Sequence, residues 1–114
     1  MNKTLIVVVA LIASFSAQAD EIRDSELCRH GVAFLYDRDF ADVVTTAIEE
    51  SRSIYLRTKG KPYKYVCQVQ RQGNSRQMQI GPNTAYFTEL PDSLFLEERF
   101  DDGSVDQKLY PVTR

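Results

Sequence analysis

Apolar and polar positions alternate most cleanly between Tyr63 and Ile80, where YKYVCQVQRQGNSRQMQI sets a period-two run on each side of a Gly-Asn pair. Gly and Asn accept positive φ, so a two-residue turn at Gly73-Asn74 makes Cys67 oppose Ile80 and Val69 oppose Met78. Gln68 then faces Gln79 and Gln70 faces Gln77 on the other side. One register therefore separates an apolar face from an amide-rich wet face, and a slip of one residue would mix them. Tyr63 and Tyr65 share the parity of Cys67 and are expected in the core. Arg71 and Arg76 flank the turn and are expected at the rim of the wet face.

Upstream the period changes. Leu27, Cys28, Gly31, Val32 and Leu35 recur at intervals of three and four, which predicts a helix over Glu26 to Tyr36. Ser25 or Asp24 is its expected N-cap, with Glu26 in the first turn where the macrodipole favours an acid. Gly31 costs about 1 kcal/mol relative to Ala in a helix interior, so close packing on a sheet is its expected purpose. The next stretch, Phe40 to Glu50, fits two patterns. Phe40, Val43, Val44, Ala47 and Ile48 make a helical face with Asp39 as cap. The β-branched density of Val43, Val44, Thr45, Thr46 and Ile48 favours a strand, which is the assignment adopted.

Ser51-Arg52-Ser53 reads as a turn into a strand over Ile54 to Thr58, whose Tyr55 and Arg57 share an outward parity. Lys59-Gly60-Lys61-Pro62 leads into the central hairpin, Gly81-Pro82-Asn83 closes it, and Thr84 to Leu90 forms a further strand. After Pro91-Asp92-Ser93 comes a last hairpin, Leu94 to Tyr110. A type I′ turn at Asp102-Gly103 would pair Phe100 with Val105 and Leu96 with Leu109, and set Arg99 against Asp106 and Glu97 against Lys108. The sum is one α+β domain over residues 20 to 114, an N-terminal helix packed on an antiparallel β-meander of about five to seven strands.

Composition adds an address. Residues 1 to 19 have the anatomy of a secretory signal peptide, with Lys3, an apolar run from Leu5 to Ala13, and Ala17-Gln18-Ala19 as the cleavage site. The apolar run is shorter than the roughly 20 residues of a membrane span, and no cysteine follows the site to carry a lipid. A periplasmic or secreted protein without a membrane anchor is expected. Removing Lys3 from the 14 basic residues leaves 13 against 16 acidic ones, a charge of −3 that argues against a nucleic-acid partner. In such a compartment Cys28 and Cys67 are expected to form a disulfide joining helix to sheet. A Cys-x-x-Cys redox pair is not present.

Catalytic residues are sparse. His30 is the only histidine; on a helix it points about 200° away from Cys28, so a solvated position is expected and no metal or other cofactor is. No Gly-x-Ser-x-Gly turn accompanies it. Glu97, Glu98, Asp101 and Asp102 form an acidic cluster, but Glu97 and Asp101 belong to the charged side of their strand and Asp102 to the turn. Glu98 alone falls on the apolar side.

The helix with Cys28, the Gly31-Val32-Ala33 run, Arg38-Asp39, Tyr65-Val66-Cys67 and the terminal Asp102-Gly103-Ser104 hairpin together resemble small uncharacterised secreted bacterial proteins with one helix, a β-meander and two cysteines. Tyr-x-Cys in a β-rich periplasmic setting is also similar to the periplasmic lysozyme inhibitors of the C-type class, although the Ser-Gly-x-x-Tyr-type loop of that class is missing. The first resemblance implies no activity and the second gives only a function class; the function expected is a non-enzymatic binding, accessory or inhibitor module acting on an envelope or extracellular protein. Gln68, Gln70, Arg71, Arg76, Gln77 and Gln79 are the candidate binding residues, because amides donate and accept hydrogen bonds without the desolvation cost of charges. A small-molecule or lipid binder with a cleft between helix and sheet, and a carboxylate-dependent enzyme, are the alternatives.

Overall fold

A computed structural model describes residues 21–50, 52–72 and 76–112. Residues 1–20 with the leader sequence, Ser51, residues 73–75 with the expected Gly73-Asn74 turn, and residues 113–114 lie outside the described residues. Helix α1 spans Asp24–Leu35, and a single 3-10 turn covers Phe40–Asp42. Seven strands follow: β1 Val43–Ile48, β2 Ile54–Thr58, β3 Lys64–Gln70, β4 Gln77–Ile80, β5 Asn83–Glu89, β6 Ser93–Arg99 and β7 Val105–Pro111. They form one antiparallel sheet in chain order, a pure meander. The strand assignment for the ambiguous segment holds from Val43 onward, with Asp39 capping the short turn before it through a bond accepted from the Ala41 amide.

The helix begins two residues earlier than expected, at Asp24 rather than Glu26. Arg23 occupies the N-cap and no side chain caps the helix, while Asp24 and Glu26 both sit in the first turn. Both are therefore placed where acids suit the macrodipole, and neither Asp24 nor Ser25 is the cap. The C-terminus closes with Asp37 in the left-handed region at φ 55 and the Arg38 amide donating to the Ala33 carbonyl at 2.9 Å, the six-to-one bond of a Schellman motif.

One face of the sheet is covered by α1. Leu27, Cys28 and Val32 of the helix pack with Val43, Ile54, Leu56, Cys67, Met78, Ile80, Ala85, Leu94 and Leu96 of the strands. Gly31 sits at the closest approach: a Cβ there would stand 2.8 Å from Ile80 Cδ1 and 3.0 Å from Met78 Sδ, both fully buried side chains, so the missing side chain lets the helix seat on β4. The Cys28–Cys67 disulfide crosses the same seam between residues 39 apart in sequence. Closing a loop of that length contributes roughly 4 kcal/mol in the chain-entropy account.

The sheet curls around the helix. His30 stacks on Phe40, with ring centroids 4.0 Å apart, and meets the Tyr110 ring of β7 at 4.8 Å. Residues from the two ends of the meander thus reach one helical side chain. That curl corrects the expectation for His30, which is buried at 5% exposure rather than solvated: the helix is enclosed over more of its circumference than a flat sheet would cover. Tyr63 is the opposite case. It lies just before β3 and is 48% exposed under the Arg38 guanidinium, whereas Tyr65 is buried as expected.

The two hairpins read from sequence fare differently. In the central one all four pairs stand as expected: Cys67 with Ile80, Gln68 with Gln79, Val69 with Met78, and Gln70 with Gln77. The last hairpin is shifted by one residue, pairing Arg99 with Val105, Glu98 with Asp106, Glu97 with Gln107, Leu96 with Lys108 and Phe95 with Leu109. Its loop is longer than a type I′ turn. The Gly103 amide donates to the Phe100 carbonyl and the Phe100 amide to the Ser104 carbonyl, both at 3.0 Å, with Gly103 at φ 88; this is a turn followed by a left-handed bulge residue. Asp102 Oδ1 fixes it by accepting from the Ser104 amide at 2.9 Å. The expected Arg99–Asp106 and Glu97–Lys108 pairs are therefore not formed.

Candidate functional site

The face of the sheet opposite α1 is built by alternate residues of the strands, and its composition follows from strand parity. In β3, Lys64, Val66, Gln68 and Gln70 alternate outward with exposed side chains, while Tyr65 and Cys67 are buried. Gln77 and Gln79 of β4 point the same way, between buried Met78 and Ile80. The register carries the row across further strands: Gln70, Gln77, Tyr86, Glu97 and Gln107 are successive neighbours, and so are Gln68, Gln79 and Thr84.

These side chains hold each other in place. Gln77 Nε2 donates to Gln70 Oε1 at 3.2 Å, Thr84 Oγ1 to Gln79 Oε1 at 2.6 Å, and Gln79 Nε2 to the Gly81 carbonyl at 2.9 Å. Gln68 Nε2 reaches Ser53 Oγ at 3.1 Å. At the other end Glu97 accepts from Arg99 Nε and from Gln107 Nε2, each at 2.9 Å, and these two bonds hold its carboxyl below the usual carboxylate range. The Arg99 guanidinium lies 3.8 Å over the Tyr86 ring. Tyr55 and Arg57 share this outward side as expected, and Tyr55 Oη donates to Glu49 Oε1 at 2.5 Å. An amide has two donors and one acceptor oxygen, so each glutamine oriented by a lateral bond can still present hydrogen-bonding groups outward.

The structure divides the six candidate residues. Gln68, Gln70, Gln77 and Gln79 come together on the open face. Arg71 and Arg76 do not join them. Arg71 continues the parity of Cys67 and Val69, and Arg76 that of Met78, so both emerge on the helix side of the sheet. There they converge on Glu89 of β5, with Arg71 Nη1 at 2.7 Å and Arg76 Nη1 at 3.4 Å from Oε1. Arg71 also donates to the Ile22 carbonyl at 2.6 Å and to Asp24 at 3.1 Å, and the Ile22 amide donates to Glu89 Oε2 at 2.6 Å. The pair thus ties the segment before α1 to the sheet, and the same parity that grouped the glutamines already placed the arginines opposite them.

His30 is a buried ionisable side chain on α1. Loss of solvation lowers its pKa to about 4, and the nearby Glu26 carboxylate offsets this only in part. Its Nδ1 has no hydrogen-bond partner, and its neighbours are the rings of Phe40 and Tyr110. This places an uncharged imidazole in a structural stack. Sequence reasoning missed it because Phe40 folds back from the 3-10 turn after α1 and Tyr110 arrives from the last strand. Among the described residues no helix is long and apolar enough to cross a membrane. Comparison with known proteins finds no match: no family model fits the chain, and no curated protein or solved structure is detectably similar to it.

Proposed function

We propose that this chain is a small exported binding module, an accessory or inhibitor protein that docks a macromolecular partner of the cell envelope or extracellular space through the open face of its sheet. The observation that carries the reading is the laterally bonded glutamine array, Gln68, Gln70, Gln77 and Gln79, on a face that no element among the described residues covers. Prior hydrogen bonding lowers the side-chain entropy lost on docking, and amides leave water at less cost than charges. Export is supported by the signal-like leader and by a disulfide between cysteines 39 residues apart, a bond that persists in oxidising compartments. The alternative of a ligand in a cleft between helix and sheet loses support at Gly31, where helix backbone and β4 side chains are too close for even a methyl group.

The test replaces Gln70 with a photo-crosslinking residue in the exported protein and compares it with the same residue at Arg23, which is exposed beside the helix. A discrete crosslinked product from position 70 and none from position 23 is expected. With the crosslinking residue kept at position 70, the double variant Gln68→Lys/Gln79→Lys, which sets like charges opposite each other, should fold and lose that product. Unchanged capture by the folded double variant rejects this face.

A further inference from the structure

We propose that the free edge of β7 is a self-complementary interface, at which a second copy of this chain adds its own β7 antiparallel to the first.

The two edges of the meander are unequal. In β1 the pairing to β2 shifts between Thr45 and Ala47, a bulge that bends the strand and blunts its outer side. β7 pairs with β6 without interruption over seven successive positions, from Val105 to Pro111, and every residue from Val105 to Leu109 is exposed. Val105 and Leu109 are among the most exposed large apolar residues, at 50% and 57%.

The outward backbone groups follow from the loop. The Phe100 amide donates to the Ser104 carbonyl, so the bonded pairs toward β6 continue at alternate positions, Asp106, Lys108 and Tyr110. The N–H and C=O groups of Val105, Gln107 and Leu109 therefore point away from the sheet. A second β7 placed about a two-fold axis through Gln107 opposes Gln107 to Gln107, Val105 to Leu109, and Asp106 to Lys108. This single register satisfies three requirements. It makes the outward residues face each other as the bonded pairs, giving about six hydrogen bonds. It also sets apolar Val105 against apolar Leu109 on the open side of the sheet. On the helix side, each Asp106 meets a Lys108 of opposite charge. The ladder stops at Pro111, which has no N–H to give.

A charge left unbalanced within one chain points the same way. Glu98 and Asp106 are direct neighbours across β6 and β7, and burial together with the Asp106 carboxylate raises the Glu98 pKa. Lys108 lies over the Tyr110 ring, 4.8 Å from its centroid, and no ion pair is made by Asp106 or Lys108 among the described residues. In the paired edge the second copy's lysine stands beside that acidic pair. The association is isologous, as a two-fold homodimer requires, and it joins two seven-stranded sheets into one continuous surface.

The test uses charge reversal. Sedimentation velocity of the mature protein over a wide concentration series should show a reversible dimer. Asp106→Lys and Lys108→Asp should each weaken it by roughly tenfold or more, because each creates two facing like-charge pairs. An equimolar mixture of the two variants should recover the dimer as a heterodimer, and so should the double variant Asp106→Lys/Lys108→Asp as a homodimer. Circular dichroism and thermal unfolding of each variant establish that the monomer is folded; recovery on mixing excludes misfolding independently. A wild-type protein that remains monomeric at all concentrations overturns the proposal, and so does a dimer whose affinity is indifferent to the single reversals. Binding of a foreign extended peptide to a monomeric chain would also overturn it, by assigning the edge to another protein's strand.

Discussion

The two faces of this sheet carry side chains from the same strands in strict alternation, yet they are governed by different physics. On the helix side, Met78 and Ile80 are fully buried against Gly31 and the disulfide, so shape decides what is tolerated. On the open side, Gln77 and Gln79 are hydrogen-bonded laterally and partly solvated, so chemistry is constrained and shape is not. Stability is concentrated on one face, and the other is free to carry recognition.

The sharpest way to separate the faces is a pair of substitutions on adjacent residues. Met78→Ala opens a cavity at a site without solvent exposure and should cost about 3 kcal/mol, within the usual range for a buried methionine. Gln77→Ala, one residue earlier and on the other face, should change stability by no more than about 0.5 kcal/mol. Urea unfolding of the oxidised protein measures both. Equal losses would show that the glutamine array is part of the folding core and would remove the distinction on which the binding proposal rests.

How much of this was legible depended on whether both strands of a pair alternate. Tyr65, Cys67 and Val69 against Met78 and Ile80 leave one acceptable register, and the structure has it. The register expected for the last hairpin follows from a type I′ turn at Asp102-Gly103, and because Leu94, Phe95 and Leu96 are apolar in succession, both the apolar pairs and the charge pairs fit that wrong register. The true register puts Glu98 beside Asp106, an arrangement that charge matching rejects, because the three-residue loop with Gly103 at φ 88 and the Asp102–Ser104 bonds controls the pairing. Arg71 and Arg76 were legible from parity alone but were grouped by proximity to the turn. His30 was not legible, since its burial depends on the curl that brings Phe40 and Tyr110 to one point.

That buried imidazole gives the covered face a pH dependence of its own. A histidine whose pKa is lowered to about 4 in the folded chain, against about 6.5 when unfolded, binds fewer protons folded than unfolded between those values. Stability therefore rises with pH across the window from about 4 to 6.5, and is lost as the solution is acidified through it. The loss from this group should reach about 2 kcal/mol between pH 7 and pH 5. His30→Phe keeps a ring between Phe40 and Tyr110 and cannot ionise, so its stability should be flatter over that window. Parallel slopes for the two proteins in urea titrations at each pH would refute the assignment.

The smallest expected effect lies where the covered face runs out. Glu98 points to the helix side but stands at the edge of the covered region, next to Asp106, and its carboxyl is raised above the ordinary range by burial and by that neighbour. A raised carboxyl pKa has the opposite sign to the lowered histidine: the folded chain binds the proton more tightly, so this group disfavours folding at neutral pH and the penalty fades as pH falls through its titration. Glu98→Gln removes the like charge without changing the shape. Because the site is largely solvated, the gain at pH 7 should be only a few tenths of a kcal/mol, and it should vanish under acid conditions where the wild-type carboxyl is protonated. Adding His30→Phe should leave the Glu98→Gln difference unchanged at every pH, since sites on separate elements without a shared partner add. A gain that persisted at low pH would mean that packing of the amide, rather than relief of charge repulsion, is responsible.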